Sequence, residues 1–334
     1  WLVSLANDII SQNVADLAVA FPIDCNEEQK KGMCKKITYY AFPCNKGETK
    51  KKQENVVKSI KRILMEFDPD IVHIWGTEYV HSYYAAVACE ELGIINRVVV
   101  SIQGLVSVYA DYYFAGIPEK EYRFPTVKEL ARRTGLKREY QAFRERGKYE
   151  IKCLELVKNV IGRTDWDFAC TRAINNKRKY FFCNETLRGS FYDAQWELQK
   201  CEKHSIFASQ AQYPIKGFHK LLKAVALLKK EYPDIKVYTT GKDRNDNSLK
   251  TKLSFSTYDR YIHQIISDYN LKDNVVFLGF LSELEMRKMY LRCRVFVSPS
   301  AIENSPNSLG EAMILGVPSI SSDCGGVKNL MTHE

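Results

Sequence analysis

The chain has 334 residues, of which 45% are apolar and 27% charged, ordinary values for a globular protein and enough length for two domains. Lysine and arginine outnumber the acidic residues by 49 to 40, and residues 1–200 and 201–334 share this excess almost evenly. Such an even spread is unlike the concentrated basic patch of a nucleic-acid-binding protein, and no apolar run is long enough to predict a membrane-spanning helix.

The ten cysteines do not follow a zinc-binding pattern, because no two are separated by only two to four residues. Several lie in apolar runs, Cys89 and Cys293 among them, where a thiol packs as a small hydrophobic group. We expect free thiols and hence a reducing compartment, the cytoplasm, with disulfides as the alternative. The chain begins at Trp1, so we expect a fragment, and an upstream signal peptide stays open.

Apolar strand-like runs and amphipathic helical stretches alternate through the first half. After an initial helix (WLVSLAND), the predicted elements are a helix at 56–67, a strand at 71–75, a helix at 80–92, and strands at 97–104 and 159–164. Asp165 is placed to cap a helix after the last of these strands.

Segment 185–204 has no clear period and predicts a linker, beyond which the alternation resumes. The predicted strands there are 205–210, 235–241, 274–280, 294–300 and 318–322, and the predicted helices are 218–230, 258–269, 282–293 and 309–315. This pattern predicts an α/β fold of two tandem Rossmann-like, doubly wound domains, at 1–200 and 201–334, around a central cleft formed by their strand ends.

The stretch 298–326 carries the most chemical information. A strand ends at Val297, a polar loop follows, and Pro306 stands where a helix begins. Free backbone N–H groups at that helix start would attract a phosphate. Glu303 precedes the helix and Glu311 lies about one turn into it, so both carboxylates could accept hydrogen bonds from the hydroxyl groups of one ligand.

This stretch resembles the retaining glycosyltransferases of family 4, which have the B-type fold of two facing Rossmann-like domains. The resemblance rests on motifs in a fixed order, namely DIVHIWG (70–76), VVVSIQG (98–104), Lys216-Gly217, NVVFLGF (274–280) and Glu303 with Glu311. It implies an enzyme that moves a sugar from a nucleotide-diphosphate donor to a saccharide or lipid-linked acceptor in surface polysaccharide or glycolipid synthesis. Neither a metal nor a cofactor is implied.

The resemblance also implies roles for individual residues. Glu311 would bind the ribose hydroxyls of the nucleotide, Glu303 the hydroxyls of the donor sugar, and Lys216 would neutralise the departing diphosphate. The other residues implied at the donor contribute backbone N–H groups or pocket walls: Asn307, Ser308, Leu309, Gly217, Gly241 and Gln210.

Three strand-end residues bear on catalysis. His73 matches the first histidine of a common strand-end pair in the family, and Trp75 occupies the position of the second. Gln103 stands where the family often has histidine, and Gln210 where it usually has arginine. Glutamine can bond a hydroxyl group but carries no charge. We expect Gln103 and His73 near the donor sugar, although His73 is equally interpretable as a core histidine.

Two alternatives stay open. A non-hydrolysing sugar-nucleotide epimerase shares the architecture, and a catalytically weak sugar-nucleotide-binding subunit is suggested by Gln103 and Gln210. A Rossmann dehydrogenase is not supported, because no G-x-G-x-x-G follows a predicted strand. The sequence leaves the donor base, the donor sugar and the acceptor open.

Segment 120–152 contains 11 basic and 5 acidic residues. A solvated helical face is the simpler interpretation. A second hypothesis is peripheral contact with an anionic membrane or a lipid-linked acceptor, through Arg132, Arg133, Lys137 and Arg138.

Overall fold

The computed structural model describes residues 2–24, 29–44, 50–246 and 248–332. The strands are β1 (Ala18–Ile23), β2 (Lys30–Cys34), β3 (Ile37–Pro43), β4 (Val72–Trp75), β5 (Val98–Ser101), β6 (Asn159–Gly162), β7 (Lys179–Phe182), β8 (Glu202–Ala208), β9 (Lys236–Thr239), β10 (Val275–Phe277), β11 (Cys293–Ser298) and β12 (Ser319–Ser321). Every strand predicted from residue 71 onward is confirmed, whereas β1, β2, β3 and β7 were not predicted.

The helices carry the connections between these strands. They are α1 (Leu2–Ser11), α2 (Lys50–Phe67), α3 (Val80–Glu91), α4 (Val106–Tyr109), α5 (Glu119–Tyr122), α6 (Val127–Arg132), α7 (Leu136–Leu156), α8 (Asp165–Ile174), α9 (Phe218–Leu228), α10 (Leu249–Leu253), α11 (Thr257–Asp268), α12 (Glu283–Arg292) and α13 (Asn307–Ile314). A capping box of Ser282 and Glu285 opens α12, where a helix was predicted from residue 282. Each cysteine in the described ranges is a free thiol, as expected, and Cys25 lies outside them.

The chain divides into two compact units. The first comprises residues 1–107 and 144–186, and the second comprises 108–143 and 187–334. In the first unit, the described strands form a parallel sheet in the order β4-β5-β6-β7 and a separate sheet in the order β1-β3-β2. Trp75 pairs with Ser101, and Ser101 with Ile161, so β4, β5 and β6 end side by side.

The sheet of the second unit is parallel throughout, in the order β10-β9-β8-β11-β12. From β8 the chain goes to β9 and β10 on one side and then returns to β11 and β12 on the other. The carboxyl ends of β8 and β11 therefore flank a topological switch point, where ligands bind in open α/β sheets. Phe207 of β8 and Phe296 of β11 pack against the fully buried Tyr290 of α12 and hold these strands in place.

Residues 108–143 pack with the second unit, which differs from the predicted placement of all of 1–200 in one domain. The buried carboxylate of Glu129 accepts a hydrogen bond from the Thr257 amide at 2.8 Å. Nearby, Lys128 Nζ donates to the Ser254 carbonyl at 2.7 Å. Segment 120–152 is thus shared between the two units. Local apolar periodicity predicts a helix but does not indicate the sheet against which it packs.

His219 on α9 anchors the same segment. Its Nε2 lies 3.1 Å from the Ala115 carbonyl and its Nδ1 lies 3.2 Å from the Tyr258 hydroxyl. Because a carbonyl can only accept, Nε2 carries the proton and Nδ1 accepts from Tyr258. The ring is 2% exposed, and burial is the main cause that lowers the pKa of His219 to about 4.

We predict that this histidine makes stability fall in mild acid. The unfolded chain takes up a proton near pH 6.5 and the folded chain only near pH 4, so stability present above pH 6.5 is lost as the pH falls between these values. The loss is about 3 kcal/mol. His219→Gln, which retains a donor for Ala115, should flatten that slope in urea unfolding measured from pH 4 to 7. An unchanged slope would contradict the assignment.

Candidate functional site

The switch point of the second unit holds an ion pair between two of the predicted site residues. Lys216 ends a 3₁₀ turn (Pro214–Lys216) after β8, and Glu303 lies in the loop after β11. Lys216 Nζ is 2.6 Å from Glu303 Oε1, which also accepts from Ser300 Oγ at 2.7 Å. The Glu303 side chain is only 9% exposed and that of Lys216 is 24% exposed. The fold thus joins two residues that lie 87 positions apart in the sequence.

Two glycines allow the loops of this site to approach so closely. Gly217 has a φ of +67°, and a Cβ there would lie 1.8 Å from the Pro299 carbonyl oxygen. Gly325 has a φ of +52°, and its Cβ would lie 1.9 Å from the Glu303 carbonyl oxygen. Any side chain at either position would force these main-chain segments apart. The predicted site residue Gly217 therefore shapes the loop through its backbone.

Glu311, predicted to bind ribose, is held by an arginine that was not predicted. Arg188 Nε and Nη2 donate to the two carboxylate oxygens of Glu311 at 2.7 and 2.8 Å. The guanidinium carbon also lies 4.5 Å from the centre of the Phe191 ring. Burial lowers the pKa of Arg188, but the hydrogen bond and charge of Glu311 outweigh this and raise it overall. No sequence pattern indicated Arg188, because it lies in the aperiodic segment 185–204.

The N-terminus of α13 faces the loop that contains Glu303. Pro306 stands at the cap position, as predicted, and no side chain caps the helix. The Leu309 amide already donates to the Pro306 carbonyl at 3.0 Å, so it is occupied rather than free for a ligand. The amides of Asn307 and Ser308 have no acceptor among the residues that the structure describes. Two N–H groups, rather than the three expected, thus remain for an anion.

Gly241 and Gln210 lie at the ends of neighbouring strands. Gly241 follows β9, and its amide donates to the Gly279 carbonyl at 2.8 Å, which ties the ends of β9 and β10 together. Gln212 lies close beside Gly241 and bonds Thr240 Oγ1 at 3.3 Å. Gln210 follows β8 and is exposed.

The first unit has a cavity of about 270 Å³ at the carboxyl ends of its parallel strands. His73, Ser101 and Gln103 line it, together with apolar side chains of α1 that include Leu5 and Ile9. His73 Nε2 is 2.6 Å from Ser101 Oγ. His73 is exposed rather than a core residue, but desolvation of its covered side lowers the pKa of His73, which favours the neutral ring. Two residues predicted at the site, His73 and Gln103, thus line one cavity.

A buried ion pair that was not predicted forms one wall of this cavity. Arg163 Nη1 lies 2.9 Å from Glu185 Oε2, and the two side chains are only 6% and 9% exposed. Gln103 Nε2 donates to Glu185 Oε1 at 2.5 Å, and Arg163 Nη2 donates to the Gln103 carbonyl at 3.3 Å. Arg163 Nε is buried and has no partner among the described residues. Charged or polar residues directly after the strands could have indicated this cluster, as they indicated Gln103.

Comparison with known proteins finds a family match that lies within the second unit. Residues 191–334 match the family described as glycosyl transferases group 1. An uncharacterized glycosyltransferase of Bacillus subtilis is 32% identical over 121 residues, which are 36% of this chain and 30% of that protein. One of Haemophilus influenzae is 27% identical over 139 residues, or 41% of this chain and 35% of that protein. These matches span about a third of each relative.

Solved structures match nearly the whole chain. Sucrose-phosphate synthase of Thermosynechococcus elongatus has a TM-score of 0.63 at 15% identity, over 98% of this chain and 76% of that one. The E. coli trehalose-6-phosphate structure bound with UDP-2-fluoro glucose has a TM-score of 0.60 at 12% identity, over 97% of this chain and 82% of that one. A trehalose-6-phosphate synthase from a study of glycosyl transfer with retention has a TM-score of 0.57 at 13% identity, over 98% of this chain and 83% of that one. These likenesses confirm the predicted glycosyltransferase B-type fold, while assignment to family 4 stays a prediction.

We predict that Glu185→Gln destabilises the first unit, because it leaves the guanidinium of Arg163 buried without its counter-charge. Breaking one side of such a pair costs about 3–5 kcal/mol. The double variant Arg163→Met/Glu185→Leu removes both charges and should recover most of the loss. The free energy of urea unfolding measures both effects, and a neutral Glu185→Gln would contradict the pairing.

Proposed function

We propose that the protein is a retaining glycosyltransferase, on the premise that residues 191–334 match the family described as glycosyl transferases group 1. Its donor is a nucleotide-diphosphate sugar and its acceptor a saccharide or a lipid-linked saccharide. The observation that carries the proposal is the Lys216–Glu303 pair at the switch point between β8 and β11. Neighbours of the same fold add support, since one is bound with UDP-2-fluoro glucose and another concerns transfer with retention.

The two carboxylates of the second unit suit the hydroxyl-bearing parts of such a donor. Glu303 takes hydroxyls of the transferred sugar and Glu311 those of the ribose, because a carboxylate accepts two hydroxyl groups at once. In the free protein each is held by a base, Lys216 on Glu303 and Arg188 on Glu311. Both bases remain 24–29% exposed, so they have room to turn toward a diphosphate while the sugar hydroxyls replace them on the carboxylates.

Departure of the nucleotide leaves negative charge on the diphosphate, and cations placed there lower the barrier. Lys216 supplies this charge with three N–H donors on a flexible stem. The amides of Asn307 and Ser308 add two uncharged donors at the positive end of α13. The exposed Gln210 adds no charge, so Lys216 and Arg188 supply the positive charge that stabilises the diphosphate.

The cavity of the first unit is the proposed place of the acceptor saccharide. Gln103, Ser101 and neutral His73 offer hydrogen bonds, while Leu5 and Ile9 offer an apolar wall for a sugar face. The charges of Arg163 and Glu185 offset each other, which favours a neutral ring over an anion in this cavity. That Gln103 and His73 reach the donor sugar stays a prediction.

The setting of the reaction is also proposed rather than established. Family resemblance favours surface polysaccharide or glycolipid assembly in the cytoplasm, with peripheral contact to the inner membrane face. Within the described ranges, none of the helices combines the length and apolar character that crossing a bilayer requires.

Glu311→Ala should weaken nucleotide binding by about 1–3 kcal/mol, the cost of losing buried hydrogen bonds to a charged group. A thermal-shift panel of UDP, GDP, ADP and their sugars first identifies the ligand, because binding to the folded state raises Tm. Calorimetry then compares the variant with the wild type and with Glu231→Ala, a control at an exposed glutamate. Equal affinity of all three proteins would count against the site.

Lys216→Ala should mainly lower kcat, because its charge acts on the leaving diphosphate rather than on the bound donor. Steady-state kinetics with the donor found above separate kcat from KM, and Lys216→Arg should retain part of the rate. A defect confined to KM would contradict the leaving-group role. Conversion of the donor sugar with no acceptor present would instead indicate an epimerase, and nucleotide binding without turnover a binding subunit.

A further inference from the structure

Three large apolar side chains project into solvent from one short stretch of the second unit. Phe124 is 67% exposed, Val127 72% and Leu130 64%. We call these three residues the apolar patch. Isolated exposed apolar residues are common on proteins, but three within seven positions form a local surface that water solvates poorly.

The orientation of α6 is fixed by contacts on its other side. Thr126 and Glu129 form a capping box at its start. Glu129 is 3% exposed and binds both the amide and the hydroxyl of Thr257. Val127 and Leu130 are three positions apart and share a helix face, and Glu129 lies on the opposite face. The buried carboxylate therefore holds the apolar patch outward.

Exposed cations flank the apolar patch in the sequence. Residues 119–138 contain seven Lys or Arg and three Glu, and one of the three, Glu129, is buried in the contacts just described. The exposed bases are Lys120, Arg123, Arg132, Arg133, Lys137 and Arg138, and Lys120 lies 3.6 Å from Glu121. Of these, Lys137 lies 3.7 Å from Glu119 in an exposed pair, and Arg123 lies over the Phe124 ring at 5.6 Å.

We propose that the apolar patch and the exposed bases beside it in the chain bind the surface of an anionic lipid bilayer. The apolar side chains enter the interfacial layer, and the guanidinium groups contact lipid phosphates, because hydrophobic insertion and charge attraction together hold a peripheral protein on a membrane. A second copy of this chain fits less well, since it would bring the same excess of positive charge. The purpose, delivery to a lipid-linked acceptor, rests on the proposed function, whereas the binding itself does not.

The test is sedimentation of the whole chain with phosphatidylcholine vesicles that contain or lack phosphatidylglycerol. The wild type should bind the anionic vesicles and not the neutral ones, and it should dissociate from the anionic vesicles as the salt concentration is raised. Phe124→Ser/Leu130→Ser should bind at least about tenfold more weakly. Leu227→Ser is the matched control, because Leu227 on α9 is also 67% exposed and has lysines nearby, and it should bind as the wild type does.

A second measurement locates the contact. Phe124→Trp places a fluorophore at the apolar patch, and its emission should shift to shorter wavelength on anionic vesicles and be quenched by brominated acyl chains. The inference is overturned if the wild type does not bind anionic vesicles, if the double serine variant binds equally well, or if the apolar patch instead mediates dimerisation without lipid. Nucleotide-induced thermal shifts of the same proteins report separately on the proposed function and on folding.

Discussion

Charge compensation at the carboxyl ends of the parallel strands is the constraint on which the candidate sites of both units depend. Three nearly buried carboxylates lie there, and each has one basic partner: Glu185 with Arg163, Glu303 with Lys216, and Glu311 with Arg188. An isolated carboxylate in such surroundings would cost several kcal/mol, and it persists only when paired and hydrogen-bonded. The fold can therefore keep polar, ligand-ready groups at the strand ends without losing its stability.

The three pairs differ in how far the base is exposed, and this divides their roles. The side chains of Lys216 and Arg188 are 24% and 29% exposed, so each can leave its glutamate when a ligand supplies replacement hydrogen bonds. Arg163 is 6% exposed and also bonded to the Gln103 carbonyl, so its side chain is held in place in the lining of the first unit's cavity. A base that can leave its glutamate is suited to stabilise negative charge that develops on an anionic ligand during the reaction. An ion pair that stays in place is suited to orient a neutral ligand.

Sequence reasoning predicted the parts of this molecule that follow local rules. Buried parallel strands are continuous apolar runs, so every strand from residue 71 onward except β7 was found. Lys216 and Glu303 were expected at one site because both follow strands of one sheet. The sheet of β1, β2 and β3 was missed, and β2 shows why: its residues, KKGMC, are mostly exposed and carry no apolar pattern. Glu185 and Arg188 act through partners distant in sequence, which no spacing rule reveals.

The placement of residues 108–143 was the largest departure, and its reason is again non-local. The segment is amphipathic in a way that suits either unit, and specific polar contacts, those of Glu129 with Thr257 and of His219 with Ala115, decide between them. Such contacts depend on side-chain geometry at positions far apart in the chain. A pattern read along the chain cannot supply them.

This placement makes both units discontinuous, which affects how the chain can be built and divided. During synthesis, Glu129 can bond Thr257 only after 128 further residues have been added. All strands of the β4-β5-β6-β7 sheet have been synthesised by then, whereas the Glu129 carboxylate still lacks this partner. Neither unit can be produced as one uninterrupted piece, since a cut between Thr186 and Leu187 separates Glu129 from its partner. Contacts between residues this far apart in the sequence slow folding. The two units therefore have to be produced together, as one polypeptide.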